Sequence, residues 1–221
     1  MVASATEFRK NSFNDEDSAM LAHVANMYMN VADEAISASD SASLIISQMK
    51  AFDIEANNAM RIIDAINEVS NNYAVSSADV ASALTKTSSA MGVLGNDFNQ
   101  TIGLVVAGAE ILTGQSSKVA KGLRTIGNNL ADAANEAGSI EYKVGVATKS
   151  LNLFDASVKN LKSTFQILSD LKDDWDKMSN AEQQALGIAY AGKTQFEVFA
   201  AVMDNFDTAT KAAETALDSA G

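Results

Sequence analysis

The octapeptide Gly187-Ile188-Ala189-Tyr190-Ala191-Gly192-Lys193-Thr194 has the letters of a phosphate-binding loop, G-x-x-x-x-G-K-[ST]. In such a loop backbone N–H groups converge on phosphates, while the Lys and the hydroxyl serve the terminal phosphates and magnesium. That chemistry needs a buried strand leading in and a helix leading out. Here the preceding residues, Ser179 to Leu186, are a capping box followed by helix formers. No strand ending in an acid follows to hold magnesium. Gly192 reads as the stop of one helix and Thr194 as the N-cap of the next.

Other residue types with chemical potential are sparser. His23 is the single histidine, set between Leu21 and Val24 on a helix as a surface or core-rim residue. No G-x-S-x-G elbow accompanies it, so a Ser-His-Asp triad has no frame. Asp170, Asp173, Asp174 and Asp176 invite a calcium reading, but no glycine stands at the sixth loop position and no Glu at the twelfth. Lys172 and Lys177 interleave these acids, and Asp173–Lys177 is an i,i+4 pair, which describes a solvated helix face. Asn99-Gln100-Thr101 is a formal glycosylation acceptor without secretory context. Nothing selects a carboxylate pair for glycoside cleavage among 28 acids. The sequence therefore singles out no catalytic, cofactor-binding or metal-ligating residue, and the expectation is a protein that is not an enzyme and takes no cofactor.

The bulk properties agree. With 28 acids against 16 bases the formal charge is −12, a field that repels phosphates; no run of Lys and Arg offers a grip on nucleic acid. Cysteine is absent, which removes disulfides and thiolate sites. Proline is absent too, where average usage would supply roughly ten. Helices joined by Gly, Asn and Ser turns are the natural consequence. The first 13 residues contain Glu7, Arg9 and Lys10 and no apolar run, so they do not read as a signal peptide. The longest apolar stretch, Ile102 to Ala109 and then Ile111-Leu112, is too short for a bilayer and reads as a buried core helix.

The elements carrying these residues have legible starts. Asn14 with Asp17, Ser37 with Asp40, Ser76 with Asp79 and Asp97 with Gln100 each place a side-chain acceptor three residues before a free backbone N–H. Ser179 with Glu182 and Thr194 with Glu197 are full capping boxes. Apolar stripes at helical spacing follow, such as Ile62, Ile63, Ile66, Val69 and Leu161, Phe165, Leu168, Leu171, Trp175, Met178. Helices are expected near 14–33, 37–51, 55–71, 77–91, 98–113, 117–137, 156–178, 180–191 and 194–219, the last broken near Asn205. Starts at 37, 55, 76, 97 and 116 recur at a near-constant interval, suggesting stacked helical hairpins. Ile140 to Phe154 alternates Tyr142, Val144, Val146 against Lys143, Gly145, Ala147, a short β-hairpin or an irregular link. The expected fold is all-α, a multi-helix body with a larger helical part at 1–138, a link or hairpin at 139–154 and a smaller helical part at 155–221.

Residues Arg61 to Val80 resemble the core region of phage tail tape-measure proteins. The features are Ile62-Ile63-Asp64, Asn67-Glu68, Asn71-Asn72, the aromatic Tyr73 and the helix start Ser76-Ser77-Ala78-Asp79. Similar segments occur at Ala5-Thr6-Glu7-Phe8, Ser47 to Phe52, Met178-Ser179, Ala191 to Gln195, Phe199 to Phe206 and Asp218 to Gly221, in order along nearly the whole chain. Each is weak alone; their collinearity carries the resemblance, and in the family the Gly-Lys of the phosphate-loop lookalike recurs as a helix–helix turn.

The resemblance implies a structural and assembly role. The parent protein would set tail length, lie in the virion tail after assembly in the host cytoplasm, and leave ahead of the DNA. The implied partners are tail assembly chaperones, tail tube and tail tip proteins, and other copies of itself. No specific nucleic-acid binding is implied, and membrane contact belongs only to the full-length protein. Family members are far longer, so the chain reads as a fragment. Two other classes stay open on residues alone: a helical-repeat scaffold or adaptor, and a membrane-perturbing segment with 102–112 as the inserting element.

Overall fold

The computed structural model of the chain describes residues 2–155 and 160–219. They form α1 (Val2–Lys10), α2 (Asp15–Val31), α3 (Ala38–Phe52), a 3-10 turn (Ala56–Asn58), α4 (Met60–Asn72), α5 (Ser77–Val93), α6 (Phe98–Ile111) and α7 (Ser116–Ala137). Then come β1 (Ser139–Val144), β2 (Ala147–Asn152), α8 (Thr164–Trp175), α9 (Asn180–Ala191), α10 (Phe196–Asp204) and α11 (Phe206–Asp218). Among the described residues the fold is all-α apart from one small antiparallel sheet.

Local chemistry sets most helix starts. Asn14, Ser37, Ser76 and Asp97 each accept a hydrogen bond from the backbone N–H three residues on. Asp97 completes a capping box with Gln100. Ser163 does the same with Gln166 and opens α8. That shortens the helix expected from 156: Ser163 to Asn160 are not helical, Leu161 bridges Phe154 and Lys162 N donates to Leu153 O, while residues 156–159 lie outside the described set. The helix expected from 55 likewise begins as a 3-10 turn, with α4 proper starting at Met60. Val2–Lys10 is a helix that no expected element covered. Thr194 does not cap: it lies in a turn, and Gln195 takes the N-cap position of α10 without a side-chain bond.

The long helices stack in two rows. α3 packs on α5 and α5 on α7; α4 and α6 lie behind them, and α11 returns to lie against α6 and α4. α1 and α2 close one end of the stack over α3. α6 is enclosed, as its all-round apolar sequence demands: Ile102, Leu104, Val105, Val106 and Ala107 are completely buried. Its contact with α11 depends on a missing side chain. A Cβ on Gly103 would stand 2.2 Å from the Ala209 carbonyl oxygen, so only glycine admits so close an approach. One contiguous apolar core runs through these helices and takes in α8, α9 and α10 as well, so the 139–154 link divides the chain without dividing the core.

Buried polar bonds fix the layers. The Tyr28 hydroxyl donates to Ser77 O at 3.0 Å, Ser41 Oγ to Ala25 O at 2.8 Å, and Ser88 Oγ to Gln48 Oε1 at 2.6 Å. Asn205, in the break between α10 and α11, donates to Glu110 Oε2 at 2.9 Å and to Ala107 O at 3.2 Å, tying that break to α6. Residues 139–152 form a hairpin in continuous register, with Val144 opposite Ala147 and Tyr142 opposite Lys149. Its two-residue turn has positive φ at Gly145 alone, the requirement of a II′ turn.

Candidate interaction surface

The phosphate-loop lookalike is spread over helix and turn. Gly187 lies inside α9, buried against Phe196, where a Cβ would meet that ring at 2.5 Å. Gly192 ends α9 and Lys193 is exposed in the turn after it. A helix therefore leads in where phosphate chemistry needs a strand, and the glycine serves helix packing.

His23 is exposed on the outer face of α2 beside the part-exposed Met20 and Met27. Asn99 stands in the first turn of α6 and accepts from Arg61 Nη2 at 3.3 Å; Arg61 also lies 5.7 Å above the Phe98 ring. The acids around 170–176 are divided among different cations. Asp170 pairs with Lys162 at 2.7 Å and Asp176 with Lys172 at 2.8 Å. Lys177 turns to Asp174, 3.9 Å away, and not to Asp173 as helical spacing suggested. Among the described residues no group of three or more His, Cys, Asp or Glu side chains is placed to share a metal ion.

Asp174 is the electrostatic centre of this end of the molecule. It receives Lys149 Nζ and, at 2.8 Å, the Tyr142 hydroxyl, and thereby pins both strands of the hairpin to α8. The Lys149 hydrogen bond holds its carboxyl below the usual carboxylate range, with help from Tyr142 and Lys177. Tyr142, desolvated and facing that carboxylate, is pushed up to about 12. Glu182 is held low by the Ser179 backbone N–H and hydroxyl, which donate to it at 2.7 and 2.8 Å; the Gly145 N–H and Lys143 add to this.

Between β1 and α9 the surface opens into a mostly apolar groove of about 360 Å³. Ala181, Ala185 and Ala189, one exposed row on α9, form one wall, and Glu141 and Lys143 of β1 the other; Leu186, Tyr142 and Tyr190 lie between. Sequence reading missed this site. Its helical wall is visible only as an i, i+4, i+8 alanine row, and alanines at that spacing ordinarily mark helix packing. No described helix is long and apolar enough to cross a membrane.

The chain has no match among solved structures. The sequence profile of the phage-related minor tail proteins matches residues 1–192, from α1 through the end of α9. That match takes in α1 to α9, with the hairpin and the alanine wall and without α10 and α11: the chain belongs to the family of phage-related minor tail proteins, with a structural role in the phage tail.

Proposed function

We propose that this chain is the core region of a tail tape-measure protein and works there as a compact docking and assembly domain, without enzymatic activity. The reading rests on the resemblance of residues 61–80 to that core region and on family membership. The observation that carries it beyond the family is the return of α11 onto α6 and α4. A ruler gains about 1.5 Å per residue only while its helix is extended. A body of 221 residues folded in this way has a radius of gyration near roughly 17 Å, where one continuous helix of the same residues would reach about 330 Å. While folded, the region supplies surface and not length.

Its partners would be the tail assembly chaperones, the tube and tip proteins and further copies of the same protein, met in the host cytoplasm during assembly and retained in the virion tail. The enclosure of α6 bears on membrane insertion: the stretch Ile102 to Ala109 is buried, in large part under α11, and would have to be uncovered before it met a bilayer. An in-frame deletion of this region from the parent phage tests the proposal. Loss of tail assembly, with the deleted protein still expressed, is the expected result. Viable tails shortened by about 1.5 Å for each residue removed would refute it.

A further inference from the structure

The geometry points to the groove between β1 and α9 as a docking site for a short extended peptide segment, apolar at its centre and flanked by Lys or Arg. Three features converge on that occupant. First, β1 has a free edge there. In the observed register the residues facing β2 for backbone bonding are Ile140, Tyr142 and Val144, so the N–H and C=O groups of Glu141 and Lys143 point away from the hairpin, and Glu141 and Lys143 line the groove with α9. None of these four groups has a backbone partner among the described residues. An added strand is the ligand that satisfies such an edge.

Second, the opposite wall is built from methyl groups. Ala181, Ala185 and Ala189 are exposed, and with Leu186, Tyr142 and Tyr190 they leave about 360 Å³ of mostly apolar space, within the range of sites that bury a ligand. Larger residues on that row would close it. Third, the charge has one sign in excess. Glu141 makes no ion pair among the described residues, and Glu182 is met by the N–H and hydroxyl of Ser179 and, more weakly, by the Gly145 N–H and Lys143; Lys143 is the single cation in the lining, against these two carboxylates. On a chain of net charge −12 that rim favours cations flanking the apolar residue and disfavours an acidic segment. The proposal is independent of the tape-measure reading, since it concerns what the folded chain binds.

Panning the purified 221-residue chain against a displayed random heptapeptide library tests it. Enriched sequences should carry an apolar residue between Lys or Arg and lack proline at the pairing positions. A synthetic peptide of the most enriched sequence should lose at least about tenfold in affinity when its pairing amides are N-methylated, as expected when backbone bonds dominate. Ala185→Trp should cause a similar loss with an unchanged melting curve. Should that variant fail to fold, Glu141→Lys reads the same site, with several-fold weaker binding of the basic peptide. No enrichment, acidic or helical binders, or binding indifferent to N-methylation and to the altered groove would overturn the proposal.

Discussion

Trp175 Nε1 donates a hydrogen bond to Asp204 Oδ1 at 2.7 Å, joining the last turn of α8 to the last residue of α10. The indole is almost completely buried and its ring meets Phe199 edge-on, with centroids 5.4 Å apart. The apolar stripe of α8 anticipates the burial but not these partners, nor that Phe165, on the same stripe, packs on Phe206 with centroids 5.1 Å apart. Trp175→Ala should destabilise the protein by about 3–5 kcal/mol. Trp175→Phe, which retains the ring contact but removes the donor, should cost roughly 1 kcal/mol through the hydrogen bond. Urea denaturation of the two variants separates the terms. Blue-shifted, poorly quenched tryptophan emission should accompany the wild-type fold, and red, freely quenched emission would contradict it.

Helix capping gives a matched pair. Ser179→Ala removes one of the two donors to Glu182 and should lower stability by roughly 0.5–2 kcal/mol. Thr194→Ala should leave the melting temperature unchanged, because Thr194 sits in the turn and caps no helix. Equal effects at the two sites would place the start of α10 wrongly.

Gly103 predicts a sign. Gly→Ala inside a helix ordinarily helps by about 1 kcal/mol through propensity. At Gly103 the new methyl would meet the Ala209 carbonyl oxygen at 2.2 Å, so overpacking should dominate and destabilise by about 1–3 kcal/mol. Thermal melts of Gly103→Ala decide it; a stabilised protein would mean that α6 and α11 do not meet in this way.

Two carboxylates should respond to pH in opposite directions. The folded-state pKa of Asp174 is lowered, chiefly by Lys149. Its contribution is therefore complete above the ordinary carboxylate value of about 3.9 and is lost as pH falls from there through the lower folded value. Lys149→Met should flatten the acid side of the stability profile. Asp64 is raised by burial. Ionising it thus opposes folding once pH rises past the unfolded value, so Asp64→Asn should be more stable than wild type at pH 7 and no more stable near pH 3. Chemical denaturation across that range checks both signs.

What the sequence disclosed follows the range of the forces involved. Caps at Asn14, Ser37, Ser76 and Asp97 are bonds between residues three apart, and they could be placed from residue types alone. The same local logic was available at Ser163-Gln166, but the stripe from Leu161 to Met178 runs through that start at unbroken helical spacing and hides it. Leu161 is there because it bridges Phe154, a contact that helical periodicity cannot distinguish from a helix position. α1 lacks a legible cap and carries little apolar periodicity; its Phe8 is nonetheless completely buried, and it meets edge-on the ring of Phe13 in the turn before α2. The groove was invisible because β1 and α9 are brought together by folding, and neither Glu141 nor Ala185 differs in type from residues elsewhere on the surface.

The most direct test of the docking account is the length of tails made by a parent phage carrying a second, in-frame copy of this 221-residue region, measured by electron microscopy. The original copy remains to supply the docking surfaces, so assembly does not depend on the added one. A compact domain predicts assembled tails of unchanged length. Tails longer by about 330 Å, the full helical extension at 1.5 Å per residue, would contradict it and make the region a ruler.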